Sequence, residues 1–581
     1  MAGILFSTFI ASLIPLSFGY FLNKFFFKNK NINLFEYGIY GFLPIGILAV
    51  IINFFSPLSQ NINNFFLIPI FFFLIEHIKN KKIFSILKIN FLVSVLVTIF
   101  ISFDTVYRPD AGWYHLPFTK ILNEFKIISG AASLHPMFGV NSILQYISAI
   151  FNNSILNEKG VLFPNALIAI YFFGFFISEL FKKDNIFIKK FFCFFILSYM
   201  FIEANRYSEY GNDIPGLFYF LYVIYLFLDL KKFNLSYKEI EKISLFSVFA
   251  FTIKTFLIFI FFIPFILFIR NIKKKILPFI ASFFLISWFM KNILISGCVI
   301  YPVSVTCLNN LDWYSSNPKF QISALNSSQF TELYIKGWYN KKNVSNISED
   351  NYQNNLTQKN VFLKNFNWLN KYWLSNNFKN IIKRFDYFIV LILLFLLLNK
   401  FILKKNFLPK KNYFSNTQIR IVFFIGLIGT LVFFYKFPDG RYGASYILIS
   451  LFCVFINFFE KIYFPDSIKK IKKSLVSISL SILCFIMITK SIVRINSNYD
   501  LINSAWPNIY DLDNPNNNNI NFEFIVKNGT KIFFSSTDNL KIVHKNLCAY
   551  NKAPCTPTKK YLNQFNIEKN NLGYLILKLD K

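Results

Sequence analysis

Apolar runs of about 17 to 22 residues alternate with short lysine-rich linkers along most of this chain, a spacing that matches the hydrocarbon thickness of a bilayer. The runs lie near 3–22, 36–55, 63–78, 83–103, 160–180, 186–203, 213–230, 243–270, 277–293, 384–403, 417–437, 443–461 and 473–493. They predict an all-α polytopic membrane protein of about 13 to 14 transmembrane helices. Seven linkers are basic: 23–31, 79–82, 182–190, 230–242, 271–275, 404–412 and 467–473. Placing all seven on the cytoplasmic side obeys the positive-inside bias with a single topology. That topology makes 243–270 enter and leave on the same side, as two short helices with Lys254 near the hairpin tip. A single tilted span is the alternative, and it breaks the charge pattern once. The stretch 138–152 is short and polar for a span and reads as an interfacial helix. The first run starts close to Met1, but its basic flank follows the apolar core, so it reads as a retained span rather than a cleaved signal.

The outward side then carries 104–141, 204–212, 294–380, 437–443 and everything after about 496. Two domains follow: a transmembrane domain over 1–495 and an outward C-terminal domain over 496–581. In the latter, Asn-rich sequence gives way to KIFFSS (531–536) and YLILKL (574–579), which predict strands of a small α/β unit. Cys548 and Cys555 form one close pair, and Cys298 and Cys307 another. In an oxidising compartment each pair can close a disulfide. Cys193, Cys453 and Cys484 fall in apolar runs, where a thiol usually packs as a small hydrophobe.

Composition changes this picture little. The chain is 55% hydrophobic, and its 80 phenylalanines are discounted as individual signals because most face lipid or core. A net charge of +32 would point to nucleic acid in a soluble protein. Here the lysines sit between spans, so no nucleic-acid partner is expected. The sequence contains no GxGxxG, P-loop or HExxH pattern, and no Cys/His spacing of a zinc site.

One polar island stands out. Residues 104–141 hold two of the four histidines between two apolar runs. Asp110 is placed to cap a short helix, with Tyr114 one turn on along the same side. The functional reading makes Asp110 a general base, with Asp104 as its competitor. The bland reading leaves Asp110 as a cap with His115 packed beneath it. His115 and His135 either bind or hydrogen-bond a phosphate, or are structural. The loop 203–216 adds Glu203, Arg206, Glu209 and Asp213 near its Gly211 and Pro215 breaks. Lys254, Lys291 and Arg441 are the cations available to a leaving phosphate, Arg441 alternatively pairing with Asp439 in a turn. A lysine far from both interfaces needs a partner, which singles out Lys254. Trp288, Trp313 and Tyr301 are expected at the membrane interface.

A span leading into an outward loop with an acid followed by YHLP resembles the GT-C superfamily of membrane glycosyltransferases. A closer likeness is to a family of uncharacterised bacterial polytopic membrane proteins. It is carried by DAGWYHLP (110–117), GAASLHPMFGVNS (130–142), WFMKNILISGCVIYP (288–302) with DW (312–313), and CAYNKAPCTP (548–557). The GT-C resemblance implies a multi-pass protein of the bacterial inner membrane. It implies inverting transfer of a sugar from a polyprenyl-phosphate carrier to a glycan, lipid or protein acceptor, with Asp110 as base. The loop has no paired-acid motif, so no cofactor is assigned and a divalent metal ion is the one left open. The rival readings are a transporter or flippase, which would place ionisable groups on broken helices mid-membrane, and a non-catalytic envelope scaffold.

Overall fold

The computed structural model describes residues 2–29, 32–103, 110–182, 187–203, 207, 210–230, 235–272, 278–320, 322–338, 359–369, 373–383, 385–386, 388–389, 392, 417–463, 473–499, 505–507, 509, 522–535, 548–556 and 559–581. Most of them are helical. Among the described residues, seven helices are long and apolar enough to cross a membrane: Ala2–Phe27, Leu34–Phe55, Gln60–Lys79, Ile83–Ile101, Glu158–Phe181, Phe279–Ser296 and Thr417–Lys436. Shorter apolar helices run over Asp213–Leu228, Thr255–Arg270 and Gly440–Ile456. The run expected at 384–403 falls largely outside the described residues.

The first helices pack through small residues. Helix Ala2–Leu22 crosses Leu34–Phe55 so closely that a Cβ on Gly19 would lie 1.8 Å from the Tyr37 carbonyl oxygen. A Cβ on Gly41 would lie equally close to that of Pro15. Only glycine lets the two backbones approach in this way. On its other face Ala2–Leu22 meets Ile83–Ile101 through a polar ladder. Thr8 Oγ1 lies 3.0 Å from Thr98 Oγ1, and Ser12 Oγ donates to Asn90 Oδ1 at 2.5 Å. Such interhelical bonds contribute on average about 0.6 kcal/mol each, and they fix register where apolar packing alone does not.

Polar contacts sort the helix ends into two sets. At one end Lys242 approaches Glu36 at 3.5 Å, Lys189 pairs with Asp229 at 2.6 Å, and Asn33 donates to Ser178 at 2.7 Å. Most of these residues border or lie within basic linkers. The opposite ends of the same helices carry Asp213 and Lys254.

The stretch 243–270 reverses at Lys254. Helix Tyr237–Ile253 stops where Lys254 turns extended (φ −148°, ψ 106°), and a 3-10 turn, Thr255–Phe261, leads into Phe262–Arg270. The Leu235 N–H donates to Asn271 Oδ1 at 3.2 Å, so the two ends of the segment meet as a hairpin requires. A helix broken inside an apolar bundle frees carbonyls that must find donors. Ser142 Oγ and Asn212 Nδ2 donate to the Ile253 carbonyl at 2.7 and 3.2 Å, and the Tyr446 hydroxyl donates to that of Phe256 at 2.8 Å.

Two expectations are corrected. Residues 143–150 form a helix with a Ser142/Gln145 capping box, but every one of its residues is buried, so it is a core element rather than an interfacial one. Trp288 is fully buried as well, because its ring covers the Lys291 ammonium at 3.2 Å instead of anchoring at a surface.

The C-terminal strands form two small sheets. Phe522–Lys527 pairs antiparallel with Thr530–Ser535 across an Asn528-Gly529 turn, and Cys555–Thr556 adds in parallel. Phe565–Lys569 pairs antiparallel with Leu575–Leu579. These strands dock on the island: Ser129 exchanges backbone hydrogen bonds with Leu575 and Leu577 at 3.0 and 2.9 Å. The Ala549 N–H donates to the Gly112 carbonyl at 2.9 Å. Tyr550 donates to Asn123 at 2.5 Å and accepts from Asn152 at 3.0 Å. Both expected disulfides are present, Cys298–Cys307 and Cys548–Cys555.

The crossing of the first two helices gives a direct prediction. Gly41→Ala drives a methyl into the Pro15 backbone, and overpacking of this kind costs about 1–3 kcal/mol. A thermal melt of the detergent-purified variant should show a clear drop in midpoint, and an unchanged midpoint would contradict the crossing.

Candidate functional site

A cavity of about 730 Å³ opens where the island, the start of helix Asp213–Leu228, the Lys254 break and the Arg441 turn converge. Asp110 sits at its edge. Its carboxylate makes no cap bond to the turn that follows, so the expected N-cap role is not realised. Instead its Oδ2 faces Arg441 Nη1 at 3.5 Å, with the Asp110 side chain 44% exposed. Asp110 itself takes up helical φ/ψ (−55°, −38°) instead of the extended conformation of an N-cap, which leaves its carboxylate to Arg441.

Arg441 is held on two sides. Its Nε lies 3.3 Å from Asp439 Oδ2, and its backbone N–H donates to Asp439 Oδ1 at 2.9 Å, so the anticipated turn pairing coexists with the contact to Asp110. Lys254 Nζ donates to Asp213 Oδ1 at 2.6 Å and to the Arg441 carbonyl at 3.3 Å. The Lys254 ammonium also lies 4.5 Å from the centre of the Tyr442 ring. Lys254 is 9% exposed, and such a lysine needs these partners to stay charged.

The histidines are neutral. Gln145 Nε2 faces His115 Nδ1 at 3.1 Å, while Gln145 Oε1 accepts from the Ser142 N–H, so His115 Nδ1 is an acceptor. His135 Nδ1 accepts from the Met137 N–H at 3.2 Å. Burial pulls His115 down to about 4, against the opposing pull of Asp110 and Asp213, and burial alone brings His135 to about 4. His115 lines the cavity. His135 stacks on Tyr114 behind it, ring centres 6.1 Å apart.

The sequence candidates thus divide. Asp110, Tyr114, His115, Asp213, Lys254 and Arg441 come together around one space. Lys291 does not line it: the fully buried ammonium donates to Asn141 Oδ1, and Asn141 forms part of the wall. Asp104, Arg206 and Glu209 lie outside the described residues. Among the described residues no group of three or more His, Cys, Asp or Glu is placed to hold a metal ion, and Asp110 and Asp213 each face a cation instead.

Several wall residues were not picked out from the sequence. Tyr442 packs against both cations, and its position directly after Arg441 was the available signal. Tyr210, hydrogen-bonded to Thr119 at 2.9 Å, gave none among so many aromatics. The lining also includes the apolar Ile253, Phe256, Phe259, Ile258 and Val432, the last two 42% and 37% exposed.

The neutral histidines set a pH dependence. Their folded values lie below the ordinary value near 6.5, so their contribution to stability is complete above about pH 6.5 and is lost as pH falls toward 4. The melting temperature should decline progressively over that window. A His115→Gln/His135→Gln variant should show a flatter profile, whereas an identical slope would place the titrating groups elsewhere.

Compared with known proteins, the family model described as "Domain of unknown function (DUF8201)" matches residues 1–448. No curated protein and no solved structure matches the chain.

Proposed function

The chain belongs to the DUF8201 family, and we propose that it is a multi-pass membrane glycosyltransferase that moves a sugar from a polyprenyl-phosphate carrier to an envelope glycan, lipid or protein on the outer face of the bacterial inner membrane. One observation carries this reading. A single cavity combines a part-exposed carboxylate, two cations and apolar lining residues that include the part-exposed Ile258 and Val432.

In the proposed reaction the acceptor hydroxyl attacks the anomeric carbon from the face opposite the phosphate. The new carbon–oxygen bond forms as the bond from that carbon to the phosphate oxygen breaks, with inversion. Asp110 takes the hydroxyl proton, and polyprenyl phosphate leaves with the bonding electrons. A positioned base supplies roughly 10²–10⁴-fold in rate. The charge growing on the leaving phosphate is met by Arg441, whose guanidinium is already oriented by Asp439, while Lys254 stays paired with Asp213. The carrier's tail lies along Phe256 and Phe259. The full proposal keeps 13 to 14 spans with the cavity and the C-terminal region outward. The collection of basic linkers at the opposite helix ends supports that orientation.

A second reading has one observation in its favour. A helix broken at a charged residue, as at Lys254, is also how many transporters and flippases build their sites.

Replacing Asp110 with Asn in cells, with lipid-linked sugars and surface glycans followed by mass spectrometry, separates the two. Transfer predicts loss of one glycan sugar with accumulation of its lipid-linked donor on the outer leaflet, at normal protein abundance. An unchanged glycan profile beside a null strain that is changed would remove Asp110 from the chemistry.

A further inference from the structure

The two ion pairs in the cavity are not equivalent. Lys254 and Asp213 meet at 2.6 Å with side chains 9% and 22% exposed, and the lysine also donates to the Arg441 carbonyl. Asp110 and Arg441 meet at 3.5 Å with side chains 44% and 29% exposed. A short, shielded pair resists exchange, whereas a long, solvated one holds little energy and yields readily to a competing anion. Arg441 would not collapse if Asp110 left, because Asp439 holds its Nε and its backbone N–H. The Arg441 Nη1 is thus a donor on a fixed guanidinium whose carboxylate is replaceable.

We propose that the donor's phosphate exchanges with the Asp110 carboxylate at Arg441, so that donor binding itself releases the base. This rests on the transferase reading and adds an order to it: the phosphate arrives first, and Asp110 becomes available to an acceptor hydroxyl only afterwards. While the donor is absent, Asp110 stays engaged at Arg441. Lys254 and Asp213 play no part in the exchange and keep the hairpin tip in place beneath it.

The test uses the full chain in nanodiscs and polyprenyl monophosphate as the probe, with affinity read by microscale thermophoresis for wild type, Asp110→Asn, Asp213→Asn and Arg441→Lys. Asp110→Asn removes the competitor, and the expected gain is about two- to fivefold in affinity, the scale of one part-exposed ion pair. Asp213→Asn removes the same charge from the same cavity but not the competitor, so it should not tighten binding. Arg441→Lys keeps the charge and loses the fork, and should weaken it. Equal melting temperatures for wild type and Asp110→Asn establish that the fold is intact.

Tightening in Asp110→Asn alone supports the exchange. Equal tightening in Asp110→Asn and Asp213→Asn would reduce the effect to net charge and overturn it. Binding by wild type with no gain in Asp110→Asn would also overturn the exchange while leaving the transferase reading standing. No binding of the probe by any form would overturn both.

Discussion

The site depends on where a buried lysine finds its partners. Lys254 interrupts an apolar hairpin at its tip, and an ammonium with so little contact with water must be paired. Asp213, the Arg441 carbonyl and the Tyr442 ring supply that pairing from two other segments. One charge thereby draws together three parts of the chain separated by 41 and 187 positions. Ser142 and Asn212 satisfy the carbonyl freed by the break, which ties the island to the same point. The cavity is the space these constraints leave between them.

The opposite ends of the helices are built on similar chemistry with a different result. Tyr40 and Tyr222 donate to Glu36 at 2.8 and 2.7 Å, and Lys242 approaches it at 3.5 Å with its ammonium 4.8 Å from the Tyr40 ring centre. That cluster acts as a clasp between helices. Tyr40 and Tyr222 close on Glu36, which is 12% exposed, whereas Asp110 stands at the edge of the cavity with its side chain 44% exposed.

Helices were legible because the apolar runs carry length, and the reversal inside 243–270 was legible from the placement of the basic linkers. The strands at 530–535 and 575–579 were legible from alternation. The partnership of Asp110 with Arg441 was not, since 331 positions separate them and no periodicity links distant turns. Trp288 was read at a surface because an indole near a span end usually marks an interface. Lys291 lies three residues on along the same helix and so on the same face, but the burial of both side chains is set by neighbouring elements that the sequence does not reveal. The buried helix at 143–150 was misplaced because its Gln145 finds partners inside the fold, in Ser142 and His115, and such a polar residue looks in sequence like exposure to water.

An experimental structure of the protein in nanodiscs loaded with polyprenyl monophosphate tests the central claim most directly. The account predicts phosphate density against Arg441, Asp110 turned away from the guanidinium, and the isoprenoid chain running past Phe256 toward Val432. Lipid density confined to the outer surface of the helices, with the cavity unchanged and Asp110 still on Arg441, would contradict it.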